Sequence, residues 1–357
     1  MRRSTFVVAL LFGLFLLFWS VQSRRVGRGL VVYCAHDLVF AAPLLERFTE
    51  QTGIPVTIVG DTEASKSLGL VRRIAAEADA PQCDVFWNNE LLGTMRLAED
   101  GLLRPYEGEG WARMPPAFRD SDARWTGFAG RMRVTVSRTD AADGPFAIAD
   151  PMFGTSLTQA AALWDIDDGN TFRRWYEQVA ESDRVLIVAG NGPAMRLVRD
   201  GRAVRCWTDT DDLSAIGGDA LAAGELTYSP SVDLVAVGND IADVETDDGL
   251  SSQILIPNTV AIVEGTAQPA EAQQLVDWLL SAETEASLAS GPSRQIPLGP
   301  LGPNEATSLP PLVRELAPHV GDALDLRPLL PARDAVLEFL TERAAGATRS
   351  HAAAGDR

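Results

Sequence analysis

From residue 30 onward the chain alternates short apolar runs with amphipathic runs, and the apolar runs end in polar residues. Residues 30–35 read as a strand. Phe40, Leu44, Leu45 and Phe48 then recur at helical spacing, and Thr52-Gly53 supplies the stop expected of a helix C-cap. A β-branched strand follows at 54–59. Leu68, Val71, Ile74 and Ala78 mark a second amphipathic helix, and residues 84–87 a third strand. A helix from Leu91 stops at Gly101. Strands that alternate with helices imply an α/β fold, a parallel sheet covered on both faces.

The middle of the chain repeats the pattern. Strands are predicted at 147–149, 185–189 and 203–207, with an alanine-rich helix after the first. Residues 131–137 and 254–263 are β-branched segments suited to carry the chain out to a second lobe and back. Helices at 269–280 and 335–344 should rejoin the first lobe. The predicted domains are lobe one at 29–130 plus 258–345, lobe two at 131–257, and a disordered Ala-, Arg- and Gly-rich tail at 346–357.

This architecture locates the chemistry. Parallel sheets bind ligands beyond the carboxyl ends of their strands. In lobe one those ends are His36-Asp37, residues 61–66 with Glu63, Ser65 and Lys66, and Asn88-Asn89-Glu90. In lobe two they are Gly154-Thr155-Ser156, Gly190-Asn191-Gly192, and Thr208-Asp209-Thr210-Asp211-Asp212. Lys66 is the one lysine among 31 basic residues. A compact ammonium fits a tight polar loop where the rigid arginine fork does not, so its retention suggests a ligand contact. Adjacent aspartates repel unless a cation is near, which favours binding over a bare helix cap at Asp209, Asp211 and Asp212. His36 should face away from Asp37 on an extended strand and pack inward. Glu63 has a second reading, as a cap on the following helix.

A net charge of −18 leaves no basic stripe to neutralise phosphates and argues against a nucleic-acid partner. Arg2 and Arg3 precede an uncharged apolar run from Phe6 to Trp19, so 1–23 is expected to be a signal peptide or an N-terminal membrane anchor. Cys34, Cys83 and Cys206 are odd in number and lack metal-type spacing, so buried free thiols are expected.

With those residues placed, the chain resembles the extracytoplasmic solute-binding proteins of ABC importers, and most closely their ferric-iron-binding branch. The resemblance rests on Val-Tyr-x-x-x-Asp at 32–37, Thr-Gly-Ile-Pro-Val at 52–56, Asp-Thr-Glu-Ala-Ser-Lys at 61–66 and Asp-Val-Phe-Trp-Asn-Asn-Glu at 84–90. It continues through Trp-Thr-Gly-Phe-Ala at 125–129, Thr-Asp-Thr-Asp-Asp at 208–212, Ile-Pro-Asn-Thr-Val-Ala at 256–261 and Ser-Arg-Gln-Ile-Pro-Leu at 293–298.

The resemblance implies a two-lobe periplasmic binding protein fold of type II, each lobe a mostly parallel sheet flanked by helices. It implies a periplasmic or extracytoplasmic location, an ABC permease partner, a monomer, and no enzymatic activity or required cofactor. The cargo would be Fe(III), another metal ion or a metal–anion complex, clamped by hinge closure. Carried over, the metal positions fall on Asp37, Asn89 with Glu90, and Asp211-Asp212. The adjacent tyrosine pair of the iron-binding members is missing, since Tyr33, Tyr106, Tyr176 and Tyr228 are scattered. Carboxylates still suit a hard cation. The resemblance places an anion on Thr155, Ser156 and Asn191 at helix starts, with Arg131 and Arg294 adding positive charge. Three other readings stay open: a binder of a small organic anion or phosphonate, an exported phosphohydrolase with Asp209 as nucleophile, and a tethered sensor.

Overall fold

The computed structural model describes residues 29–61, 68–152, 154–230 and 253–355. The N-terminal segment 1–23, Glu63, Ser65 and Lys66 therefore lie outside the described residues. Among the described residues, no helix is long and apolar enough to cross a membrane.

The first lobe begins with β1 (Leu30–Cys34), α1 (Leu38–Thr52), β2 (Val56–Gly60), α2 (Leu68–Ala76), β3 (Val85–Asn88) and α3 (Leu91–Glu99). β1 pairs in parallel with both β2 and β3. That central position buries Val32, Tyr33 and Cys34, and so explains an unbroken apolar run where a one-sided strand would alternate. α1 turns Ala41, Leu44, Leu45 and Phe48 inward. It ends at Gly53, whose φ of 73° is left-handed, and whose N–H closes on the Thr49 carbonyl at 2.8 Å. Each such buried Leu or Phe stabilises the fold by roughly 1.5–3 kcal/mol.

After β4 (Leu103–Arg104) and the short α4 (Glu109–Arg113), the 13-residue β5 (Thr126–Arg138) crosses between the lobes. The second lobe holds β6 (Phe146–Ala149), α5 (Gly154–Asp165), α6 (Asn170–Glu181), β7 (Val185–Val188), α7 (Asn191–Arg199), β8 (Arg205–Asp209), α8 (Thr210–Ala222) and β9 (Leu226–Ser229). β10 (Leu255–Val263) returns, followed by α9 (Pro269–Leu279), α10 (Ala282–Ser290), α11 (Pro303–Ser308), α12 (Pro311–Leu316) and α13 (Leu330–Gly355).

Parallel pairs lie within each lobe, as expected, and the two crossing strands join the lobes' sheets. One continuous sheet runs β2-β1-β3-β10-β5-β8-β6-β7, with β4 and β9 on its flanks. Pairs β1–β2, β1–β3, β6–β7 and β6–β8 are parallel, whereas every pair made by β5 or β10 is antiparallel. The cause is β5 itself. Its first half pairs with β10 and its second half, from Arg133, pairs with β8. A bulge between Ile256 and Asn258 and a positive φ of 41° at Ala129 lie at this passage. Glu285, wholly buried, fixes the same place by accepting from the N–H of Ala129 (2.8 Å) and of Leu298 (2.8 Å).

The tail differs from the expectation. α13 continues to Gly355, so the disordered stretch expected from 346 is helical as far as the described residues go. α13 packs across both lobes. Asp334 pairs with Arg96 of α3, and Phe339 lies against Trp164 and Tyr176 of the second lobe at 5.9 Å between ring centroids. α5 beneath it is buried from Thr155 to Trp164, its polar Thr155, Thr158 and Gln159 side chains being hydrogen-bonded to Asp209, Glu90 and Arg133. Cys34, Cys83 and Cys206 are buried free thiols, as expected.

Candidate functional site

Four helices start at the junction of the lobes: α1 behind Asp37, α5 at Gly154, α7 at Asn191 and α8 at Thr210. Their first turns enclose a cavity of about 270 Å³. Asp37 and Asn89 line it from lobe one, and Thr155, Ser156, Asn191, Asp209, Asp211 and Asp212 from lobe two. Arg131, on the crossing strand, lines it as well. Strand ends separated by up to 175 positions in sequence thus converge because each β-strand delivers its carboxyl end to one edge.

Below the cavity lies a buried polar lattice centred on Arg133, which is 1% exposed. Its guanidinium donates to Gln159 Oε1 (2.9 and 2.6 Å), Asn191 Oδ1 (2.9 Å) and Asp209 Oδ1 (2.7 Å). Asp209 Oδ2 accepts from the Thr155 hydroxyl (2.6 Å) and Asn191 Nδ2 (2.9 Å). Both oxygens of Asp209 are therefore committed to neighbours. Asp209 thus anchors the lattice while also lining the cavity, and with both oxygens hydrogen-bonded it is not presented as a phosphohydrolase nucleophile. The side chains of Thr155 and Asn191 belong to the same lattice. What they offer the cavity is the backbone N–H groups of the α5 and α7 first turns.

Asp211 is 6% exposed, and its carboxyl is pushed up to about 7. Burial is the main cause; the Arg131 guanidinium beside it pulls the other way, and the charges of Asp209 and Asp37 raise it further. The influence of Asp37 is informative, because it acts across the cleft from the opposite lobe. Carboxylate oxygens of Asp209, Asp211 and Asp212 lie within 4.8 Å of one another, and Asp211 Oδ1 also accepts the Asp212 N–H at 3.0 Å.

Arg131 is 2% exposed and ties the lobes together. Its Nη2 donates to the Asn89 carbonyl (2.8 Å) and to Asn258 Oδ1 (3.3 Å), while Nη1 lies 3.6 Å from Asp211 Oδ2. Asn258 in turn donates to Gln295 Oε1 at 2.8 Å. Gln295 meets the His36 ring nitrogen at 3.0 Å, and His36 stacks on Trp87 with centroids 5.5 Å apart. His36 is packed inward, as its position on the strand implied.

Glu90 is the clearest correction. It is 2% exposed and its carboxylate caps α3, accepting from the N–H groups of Leu92 and Gly93 at 2.6 Å each and from the Thr158 hydroxyl at 2.9 Å. It does not line the cavity, and a metal would have to displace three donors. Glu90→Ala is expected to cost about 1–2 kcal/mol of stability, as loss of a cap does. Ligand binding in the cavity should stay within about twofold of the parent's by titration, an outcome a residue that contacts the ligand would not show. Arg294, whose Nη1 donates to the Ser290 carbonyl, is not part of the cavity wall.

Sequence reasoning missed Arg133, Asp150 and Arg196. The signal for Arg133 was present: Arg131 and Arg133 are two apart inside an otherwise apolar strand, so both point to one buried face and need partners. Asp150 directly follows the strand predicted at 147–149, so the strand-end rule could have marked it, whereas Arg196 lines the cavity from within α7, where no such rule points.

No family model matches the chain. A periplasmic Fe(3+)-binding protein of Serratia marcescens is 24% identical over 356 residues, covering 94% of this chain and 96% of that protein. Iron-bound HitA of Pseudomonas aeruginosa superposes with a TM-score of 0.64 at 22% identity, over 86% of this chain and 99% of HitA. The chain has the two-lobe periplasmic binding protein fold. AfuA of Actinobacillus pleuropneumoniae, described with fructose-6-phosphate bound, shares this binding-protein fold with a TM-score of 0.64 at 15% identity, over 88% of this chain and 98% of AfuA. Ligands thus differ within the fold, and the wall of the cavity must decide.

Proposed function

We propose that the protein is the extracytoplasmic solute-binding component of an ABC-type importer, and that its cargo is ferric iron or a metal–anion complex. One observation carries the reading: Asp37 of lobe one and Asp211 and Asp212 of lobe two line the same cavity. Carboxylate oxygens are hard ligands suited to a hard cation. A cation held between them favours the closed arrangement of the lobes, since only that arrangement presents both sets of oxygens. The anion of such a complex would lie against Ser156 and the first turns of α5 and α7, where helix N-termini offer N–H groups and partial positive charge.

The similarity to the periplasmic Fe(3+)-binding protein of Serratia marcescens supports iron as the metal and the periplasm as the compartment. In this reading the protein works as a monomer, tethered or released at its N-terminus, and passes cargo to a membrane permease. Native mass spectrometry of protein purified from cells without refolding is the test. A mass increment matching iron, with or without a small anion, is expected, and it should vanish in the Asp211→Ala, Asp212→Ala variant. Purification with an organic solute and no metal would overturn the ferric reading.

A further inference from the structure

The cavity is not polar throughout. Beside Asp37, Arg131, Asp211 and Asp212, its wall carries apolar side chains from both lobes. Val39 and Phe40, at the start of α1, face the cavity from lobe one, and Pro193 and Ile216 from lobe two. Val39 is 74% exposed, the highest value among the large hydrophobic side chains of the described residues that lie on the surface. An exposed apolar side chain beside these charged groups would be an odd neighbour for a bare or hydrated ion.

Size points the same way. About 270 Å³ is several times the ~30 Å³ that one water takes up in the liquid, and it approaches the range of roughly 300–1,000 Å³ typical of organic ligands.

From these features we propose that the cargo is a ferric complex of a small aryl oxygen-donor chelator. Its iron meets Asp37, Asp211 and Asp212, and the ring lies against Val39, Phe40, Pro193 and Ile216. This rests on the ferric reading given above. It adds that an organic face, and not the metal alone, determines which complex is taken. Burial of that face in the closed form rewards closure in proportion to apolar area removed from water.

Calorimetric titration with ferric 2,3-dihydroxybenzoate and with ferric citrate separates the two claims. The same iron is offered in both, with and without an aryl face. The dihydroxybenzoate complex should bind at least about tenfold more tightly. Val39→Ser and Ile216→Ser should each shrink that preference to about threefold or less; Val39 is exposed, so its variant should fold normally. Equal or tighter binding of ferric citrate, or a preference untouched by both variants, overturns the aryl-chelate proposal while leaving ferric cargo in place. Iron-free dihydroxybenzoate binding as tightly as its iron complex overturns both.

Discussion

Replacing Arg133 by Met should lower stability in urea unfolding by about 3–5 kcal/mol, the largest effect of a single substitution in the ligand-free protein. Arg133 is 1% exposed, and its guanidinium holds Asp209, Gln159 and Asn191 in place. Its removal leaves the Asp209 carboxylate, 3% exposed, with two neutral donors and no near cation except Arg131 at 3.9 Å. An uncompensated buried charge costs far more than the pair contributes when intact. Combining Arg133→Met with Asp209→Asn should therefore restore part of the loss, because the stranded charge is gone. A double variant less stable than the Arg133→Met protein would show that the lattice matters for packing and not for charge.

The second large effect concerns Asp211. Folding raises its carboxyl from the ordinary 3.8 to about 7 through burial, against the pull of Arg131. The unfolded chain thus ionises first, and ionised Asp211 opposes folding. Its contribution leaves stability untouched below about pH 4, removes stability progressively as pH rises to about 7, and is constant above that. Asp211→Asn should match the parent's thermal midpoint at acid pH and exceed it at pH 8. Cation binding has the opposite requirement, since a metal needs the ionised oxygen. Affinity for ferric citrate should rise with pH up to about 7 and then level off, and binding at pH 6 should release protons into the buffer. In the Asp211→Ala, Asp212→Ala variant binding should be lost altogether. A double variant that stays folded and binds normally would remove the second-lobe half of the site.

Much of this was legible beforehand because strand ends are written locally. Apolar runs such as 30–35 and 185–189 announce strands, Gly53 and Gly101 announce helix ends, and the polar residues that follow each strand mark the cavity wall. Asp37, Asn89, Ser156, Asp211 and Asp212 were found that way. What could not be read were facts set by distant partners. Glu90 and Asp212 look alike in sequence, each an acid just after a strand. Only the fold shows that Glu90 turns back to cap its own helix under Thr158, whereas Asp212 lines the cavity. The antiparallel centre of the sheet was hidden for the same reason. β5 changes partners at Arg133, and nothing in its β-branched sequence says which strands will lie beside it. The two-residue β4 was missed because so short a run carries no usable period, and β9 because Leu-Thr-Tyr-Ser is not an apolar run.

The central claim is that acids from two lobes share one cation. Crystals grown with ferric citrate, and diffraction recorded at the iron absorption edge, address it most directly. A single strong anomalous peak is expected in the cleft, within coordination distance of Asp37 on one side and of Asp211 or Asp212 on the other. A peak bound to one lobe alone, or a cleft filled by density without iron, would contradict it.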